Sequence, residues 1–172
     1  MATDEALVVE LATGNEPALC ELLRRYERPL SNFIYRHTAG RDVEDIFQET
    51  WLRVVRQAKR FDRNKRFSTW LFQIAINLCR DWHRRAPEEA SADPKESADA
   101  SRPIDRAEAR LDADALLARL PEPQREVVIL RYYHDLSEDQ VAELLDCPKG
   151  TVKSRLHNAL ARLLALTKED KP

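Results

Sequence analysis

Apolar residues recur along this chain at helical spacing, three and four residues apart, and never in the strict alternation of a half-buried strand. Asn15 can cap a helix that carries Pro17 in its first turn. Ala18, Leu19, Leu22, Leu23 and Tyr26 then fall on one face. Pro29 is expected to kink or break that helix, because it has no amide hydrogen and its ring collides with the preceding turn. A continuation from Leu30 to His37 stops at Gly40, a residue suited to a left-handed terminus. Asp42 is placed to cap the next helix, in which Val43, Ile46, Phe47, Thr50, Trp51 and Val54 repeat at helical spacing. A basic loop, RFDRNKRF (Arg60 to Phe67), leads to another helix starting at Ser68 or Thr69. Its shared face holds Leu71, Ile74, Ala75, Leu78 and Trp82.

Past residue 105 the same spacing returns. Leu111 to Leu120 is amphipathic, and Pro121 and Pro123 end it and start Gln124–Tyr133. Ser137 and Gln140 form a capping box ahead of a short helix that should bury Val141, Ala142 and Leu145. Asp146 sits where a tight turn needs a left-handed residue, a conformation Asp tolerates better than most. A second helix should bury Val152, Leu156, Ala159 and Leu163. The small Ala142 would let the two helices cross closely.

Between the two patterned parts lies APEEASADPKESADASRPID, residues 86–105, in which Ile104 is the one large aliphatic. Such a segment buries too little apolar surface to offset its ordering entropy. The organisation expected is all-α: one small helical domain over 1–86, a flexible acidic linker over 87–105, and a second helical domain over 106–172. With Gly at 3 and charged residues at 34% of 172, composition agrees with helices over a turn-rich sheet protein.

The net charge of −2 conceals a segregated pattern. Residues 56–85 hold nine Lys or Arg against two acids, net +7, whereas 1–55 and 86–105 are each net −4 and 106–172 is net −1. A polyanion responds to that local field and not to the average. The basic block also contains Phe61, Phe67, Trp70, Phe72 and Trp82. Cations that track a backbone, interleaved with rings that stack on unpaired bases, suit single-stranded nucleic acid. Trp70, Phe72 and Trp82 suit a core better than a strand surface, whereas Phe61 and Phe67, flanking a polar loop, fit either role.

The pattern over 137–163 is that of a helix-turn-helix. Its second helix turns Thr151, Lys153, Ser154, Arg155, His157 and Asn158 outward, residue types that donate to phosphates and read base edges in a major groove. The plain alternative is a helical hairpin with a charged solvent face. On the helix of 42–56, Asp45, Gln48, Glu49 and Arg53 lie opposite the apolar face, which taken alone reads as solvated.

Cys20, Cys79 and Cys147 are odd in number and widely spaced, which fits reduced thiols. The stretch MATDEALVVELATGNE lacks the basic-then-apolar build of a signal peptide. No apolar run approaches the ~18–20 residues of a membrane span. No Walker loop, no H-x-E with C-x-x-C and no carboxylate cluster beside a His is present. His37, His83, His134 and His157 form no ligand set. No enzymatic activity, catalytic residue, metal or cofactor is therefore expected.

Three runs carry a family resemblance. DVEDIFQETWLRVV resembles region 2.2 of extracytoplasmic-function (ECF) sigma factors of the sigma-70 superfamily, FDRNKRFSTWLFQIAINLCRDWHRR resembles their regions 2.3 and 2.4, and LPEPQREVVILRYYHDLSEDQVAELLDCPKGTVKSRLHNALARL resembles region 4. The resemblance implies a bacterial alternative sigma factor that binds core RNA polymerase through its β′ and β subunits and directs promoter-specific initiation. It implies polymerase docking by Asp45, Gln48, Glu49 and Arg53. It implies melted −10 strand contacts by Arg60, Phe61, Lys65, Arg66, Phe67, Trp70, Asn77, Arg80, Arg84 and Arg85, with a flipped base held by the loop. It implies −35 duplex contacts by Thr151, Lys153, Ser154, Arg155, His157 and Asn158. An anti-sigma factor is an implied partner, able to hold this cytoplasmic protein at a membrane. The family often has basic residues at the positions of Asn158 and Leu160 and Gly at that of Asp146, and no further regulatory domain is expected past about Lys168.

Overall fold

The computed structural model describes residues 2–85 and 113–169. These residues fall into two compact units, and no strand occurs among them. The linker expected over 87–105 lies outside the described residues, as does residue 111, where the helix before Pro121 was expected to begin.

The first unit is built from α1 (Asp4–Ala12), α2 (Glu16–Thr38), α3 (Val43–Gln57), a 3₁₀ turn (Ala58–Arg60) and α4 (Phe67–Arg85). Its core holds Val8, Leu22, Leu30, Phe33, Ile34, Val54, Phe67, Leu71 and Ile76, all fully buried. The apolar face read for α4 is too narrow. Phe67, Phe72, Ile76 and Cys79 are buried as well, because α4 packs against α1, α2 and α3 together.

Three local expectations are corrected. Pro29 neither breaks nor ends α2, which runs unbroken from Glu16 to Thr38. A proline inside a helix costs ~3 kcal/mol. Burying Leu30, Phe33 and Ile34 beyond it gains ~1.5–3 kcal/mol each, so the helix holds and Pro29 stays on the exposed side. Asp42 occupies the N-cap position of α3 without capping it. Its backbone is left-handed, φ 50°, which turns the side chain away from the amides of the first turn. The carboxylate instead accepts from Trp82 Nε1 at 2.6 Å. Helix α4 starts at Phe67, before Ser68 and Thr69, and its Phe67 amide donates to Glu5 Oε1 at 3.0 Å.

Helix α1 has no amphipathic signature, since apolar residues occupy most of its circumference. It forms because Thr3 caps it, accepting from the Ala6 amide at 3.2 Å, and because Leu7 and Val8 find a cover on the unit.

The second unit comprises α5 (113–118), α6 (Glu122–Val128) continuing as a π turn (Ile129–Tyr133), α7 (Glu138–Leu145) and α8 (Lys149–Glu169). The capping box of α7 is present: Gln140 N donates to Ser137 Oγ at 3.2 Å and Ser137 N to Gln140 Oε1 at 2.8 Å. Asp146 adopts φ 49°. Ala142 is only half-buried, and Leu144 is buried in its stead at 2% exposure, because α7 packs against both the π turn and α8. Val152, Leu156 and Ala159 enter the core as expected, whereas Leu163 is partly exposed.

Asp146 is exposed and left-handed, a conformation glycine adopts without the steric penalty that a Cβ brings. Asp146→Gly should therefore raise the stability of this unit by about 0.5 kcal/mol, the difference between relieved strain and added unfolded-state entropy. Thermal melting of the full chain checks it, and a lower transition would refute it.

Candidate nucleic-acid interface

Helix α4 presents a stripe rather than a patch. Trp70, Gln73, Asn77, Arg80 and Arg84 recur at three and four residues, on the side away from Leu71, Ala75 and Leu78, and each retains exposure. Gln73 was not among the residues singled out from the sequence, although it lies three residues after Trp70 and four before Asn77. Arg84 is paired with Asp81 at the exposed end of the helix, next to exposed Arg85.

The loop ahead of α4 is held in a set shape by its own backbone. Asp62 Oδ1 accepts from the Asn64 amide at 3.0 Å and from Asn64 Nδ2 at 3.2 Å, and Lys65 N donates to Asp62 O at 3.0 Å. That turn throws Arg63, Lys65 and Arg66 outward, all exposed, with Arg60 exposed in the 3₁₀ turn just before. Arg63 was also passed over by the sequence reading.

The rings beside this loop divide into two kinds. Phe67 has no exposed surface and touches four others: Tyr26 at 5.3 Å, Trp70 at 6.0 Å, Phe61 at 6.3 Å and Trp51 at 6.4 Å between centroids. It is a core ring, which corrects its inclusion among strand-contacting residues: a base cannot stack on a side chain with no free face. Phe61 and Trp70 are half-buried and lie 5.1 Å apart, tilted by 47°. Together they make the one surface in this group where an aromatic face adjoins exposed cations.

On α3 the side opposite the core carries Asp45, Gln48, Glu49 and Arg53. Gln48 Nε2 donates to Glu44 Oε1 at 2.8 Å and Arg53 Nε to Glu49 Oε1 at 2.9 Å, both four residues apart. These pairs leave Asp45 outside them. The sequence reading missed Leu52 and Val55, exposed at 48% and 43% on the same helix. Their signal was present as apolar residues off the buried spacing.

In the second unit, α8 turns Lys153, Ser154, His157 and Asn158 to solvent, with Thr151 and Arg155 half-exposed. The Ser154 hydroxyl donates back to Thr151 O at 3.0 Å. Two cations of this helix meet the first turn of α7: Lys149 Nζ lies 2.9 Å from Asp139 Oδ2 and Lys153 Nζ 3.9 Å from Glu138 Oε2. The hydrogen bond to Asp139 raises the Lys149 pKa above its ordinary value. Lys149, exposed in the first turn of α8, is a further cation not named from the sequence. Leu160, where a cation was expected by resemblance, is 41% exposed.

Cys20, Cys79 and Cys147 form no disulfide. Among the described residues no group of His, Cys, Asp and Glu could hold a metal ion, and no helix is long and apolar enough to cross a membrane.

Two family models match the chain: sigma-70 region 2 over residues 22–87 and sigma-70 region 4 over residues 110–163. An ECF RNA polymerase sigma-E factor from Haemophilus influenzae is 31% identical, with 91% of each chain covered. The chain belongs to the ECF family of RNA polymerase sigma factors. The ECF RNA polymerase sigma-E factor of Escherichia coli is similar too, 30% identical over 91% of this chain and 90% of its own. Among solved structures, CnrH, in complex with the cytosolic domain of CnrY, resembles this sigma factor with a TM-score of 0.77 and 26% identity, covering 98% of this chain and 99% of its own. The region 2 match takes in most of α2, then α3, the basic loop and α4, and the region 4 match takes in α5 to α7 and most of α8. Helix α1 precedes both.

Proposed function

We propose that this sigma factor binds core RNA polymerase and directs initiation at its own promoters, reading the −35 element as duplex and the −10 element as melted strand. The division follows the two units. Residues 1–86 act as region 2, residues 106–172 as region 4, and 87–105 join them. The observation that carries the −10 assignment is the Phe61–Trp70 ring pair opening between the exposed cations of the loop and the stripe through Asn77, Arg80 and Arg84. Unpairing and flipping a base costs a few kcal/mol. Stacking returns ~1–3 kcal/mol per base, and the cations balance the backbone charge. Lys65, Arg66 and Arg85 belong to that strand path, with Arg60 at its start. Thr151, Lys153, Ser154, Arg155, His157 and Asn158 meet the −35 major groove, where phosphates supply affinity and base edges choose the sequence.

Neither unit need bind tightly alone. Polymerase holds both, and the first contact raises the effective concentration of the second. Docking uses the α3 face of Asp45, Gln48, Glu49 and Arg53, to which the exposed Leu52 and Val55 add apolar area. An anti-sigma factor restrains the protein when it is idle. The similar CnrH, bound to the cytosolic domain of CnrY, supports such a partner and the cytoplasm as the place of action.

A gel shift on promoter DNA selected from a random library, with and without core polymerase, tests this reading. Selective binding by this protein is expected only when core polymerase is present; unaided operator binding would favour a free-standing regulator. Asp45→Ala and Gln48→Ala should each weaken retention of core polymerase by about tenfold, the scale of one interface residue costing over 1 kcal/mol, with unchanged helicity. Equal retention by pull-down would remove the α3 face from the interface.

A further inference from the structure

Helix α1 touches both ends of the basic loop. It packs against the Ala58–Arg60 turn, where the loop begins, and against α4, where the loop ends. Its apolar anchors, Leu7 and Val8, are 6% and 0% exposed. Its first two residues supply carboxylates that reach other helices. Asp4 accepts from the Tyr26 hydroxyl at 2.5 Å and from Arg25 Nη1 at 2.6 Å, and Arg25 Nη1 also donates to Ala2 O at 3.0 Å. Glu5 Oε1 accepts from the Phe67 amide at 3.0 Å, across sixty-two positions of sequence.

That amide is one of the unsatisfied donors at the start of α4, where the helix dipole also favours negative charge. Arg66, just before the helix, accepts from Trp70 N through its backbone carbonyl. A side chain at that position reaches the second or third amide of a helix and not the first, so the Phe67 amide needs a partner from outside the local turn. The carboxylate from α1 is that partner. Phe67, so held, is the ring that touches both Phe61 and Trp70, and Tyr26, held by Asp4, packs edge-on against Phe67. Burial, followed by its hydrogen bond to Asp4, pushes the Tyr26 phenol above its usual range, so it stays a donor.

We infer that Glu5 is a positioning residue for capture of the melted −10 strand: by tying the start of α4 to α1, it fixes the Phe61–Trp70 pair and the loop cations at a set separation. Helix α1 thereby acts as a brace under the reading loop, although it lies ahead of the region 2 match at residues 22–87. A strand that meets a pre-set surface loses less freedom on binding than one that must order it. The inference rests on the −10 reading of the loop given above.

The test uses the full chain in holoenzyme with core polymerase, on a promoter selected with the wild-type protein. Glu5→Ala should reduce heparin-resistant open complexes by about fivefold, the worth of one hydrogen bond of ordinary strength. Polymerase retention and closed-complex binding to the duplex should stay unchanged. Glu5→Gln, which keeps an acceptor oxygen but no charge, should recover part of the loss. Hydrogen exchange at the Phe67 amide should quicken in the Ala variant and less in the Gln variant. Equal loss of polymerase retention, duplex binding and open complexes would make Glu5 a general stabiliser and overturn the inference. So would wild-type open-complex levels in Glu5→Ala. Failure of the wild-type holoenzyme to form open complexes would instead strike the −10 reading itself.

Discussion

Phe67→Ala should destabilise the first unit by about 3–5 kcal/mol, the range for a phenylalanine removed from a packed core. The ring has no exposed surface and four aromatic neighbours, so its loss leaves a cavity bounded by Tyr26, Trp51, Phe61 and Trp70. A unit of this size has a total stability of order 5–15 kcal/mol, so a substantial share of that margin would go. Phe61→Ala offers the contrast. That ring is half-exposed, and truncating it should cost about 1 kcal/mol or less of stability. It should nevertheless cut −10 strand binding by about tenfold or more, since one stacked base is worth ~1–3 kcal/mol. Chemical denaturation followed by helicity, alongside open-complex assays, separates the two effects. A Phe67→Ala protein of wild-type stability that failed only in strand binding would return that ring to the DNA-contacting set.

The double variant Lys153→Ala, Arg155→Ala should weaken −35 duplex binding by holoenzyme about a hundredfold. Each good base contact discriminates by ~1–3 kcal/mol, and each phosphate contact adds about one unit to the salt slope. Stability should hardly move. The pair that Lys153 makes with Glu138 is exposed and 3.9 Å long, and such surface pairs contribute ~0–1 kcal/mol. Arg155 is half-exposed and outside the core. Binding to a single-stranded −10 oligonucleotide should be unaffected, because the contacts proposed for it lie on the other unit. Footprints over the −35 element decide the matter: protection equal to wild type, at matched salt, would mean that α8 is not the reading helix.

The relative legibility of the two units has a physical source. The capping box of Ser137 and Gln140, the left-handed Asp146 and the core positions Val152, Leu156 and Ala159 all came directly from sequence. Each depends on neighbours a few residues away. The polar face of α8 followed from the same spacing, whereas Trp70, Asn77 and Arg84 were named through the family resemblance. Leu52, Val55 and Gln73 were missed for a narrower reason. Exposed apolar residues and uncharged polar ones carry little weight until the buried face is known.

The chain alone determined that two helical units exist, where their turns fall and which helix faces are polar, because hydrophobic period and capping chemistry act over one or two turns. It also determined the family, through motif order and spacing. The tertiary structure decided what depends on partners far along the chain. Burial on both sides carries α2 past Pro29. A left-handed backbone turns Asp42 from its own helix to Trp82. Four surrounding rings make Phe67 core and leave Phe61 and Trp70 at the surface. A helix with no amphipathic signature supplies, through Glu5, an acceptor for the first amide of α4. In each case the local preference is worth at most a few kcal/mol, and a packed neighbour contributed by another helix outweighs or redirects it.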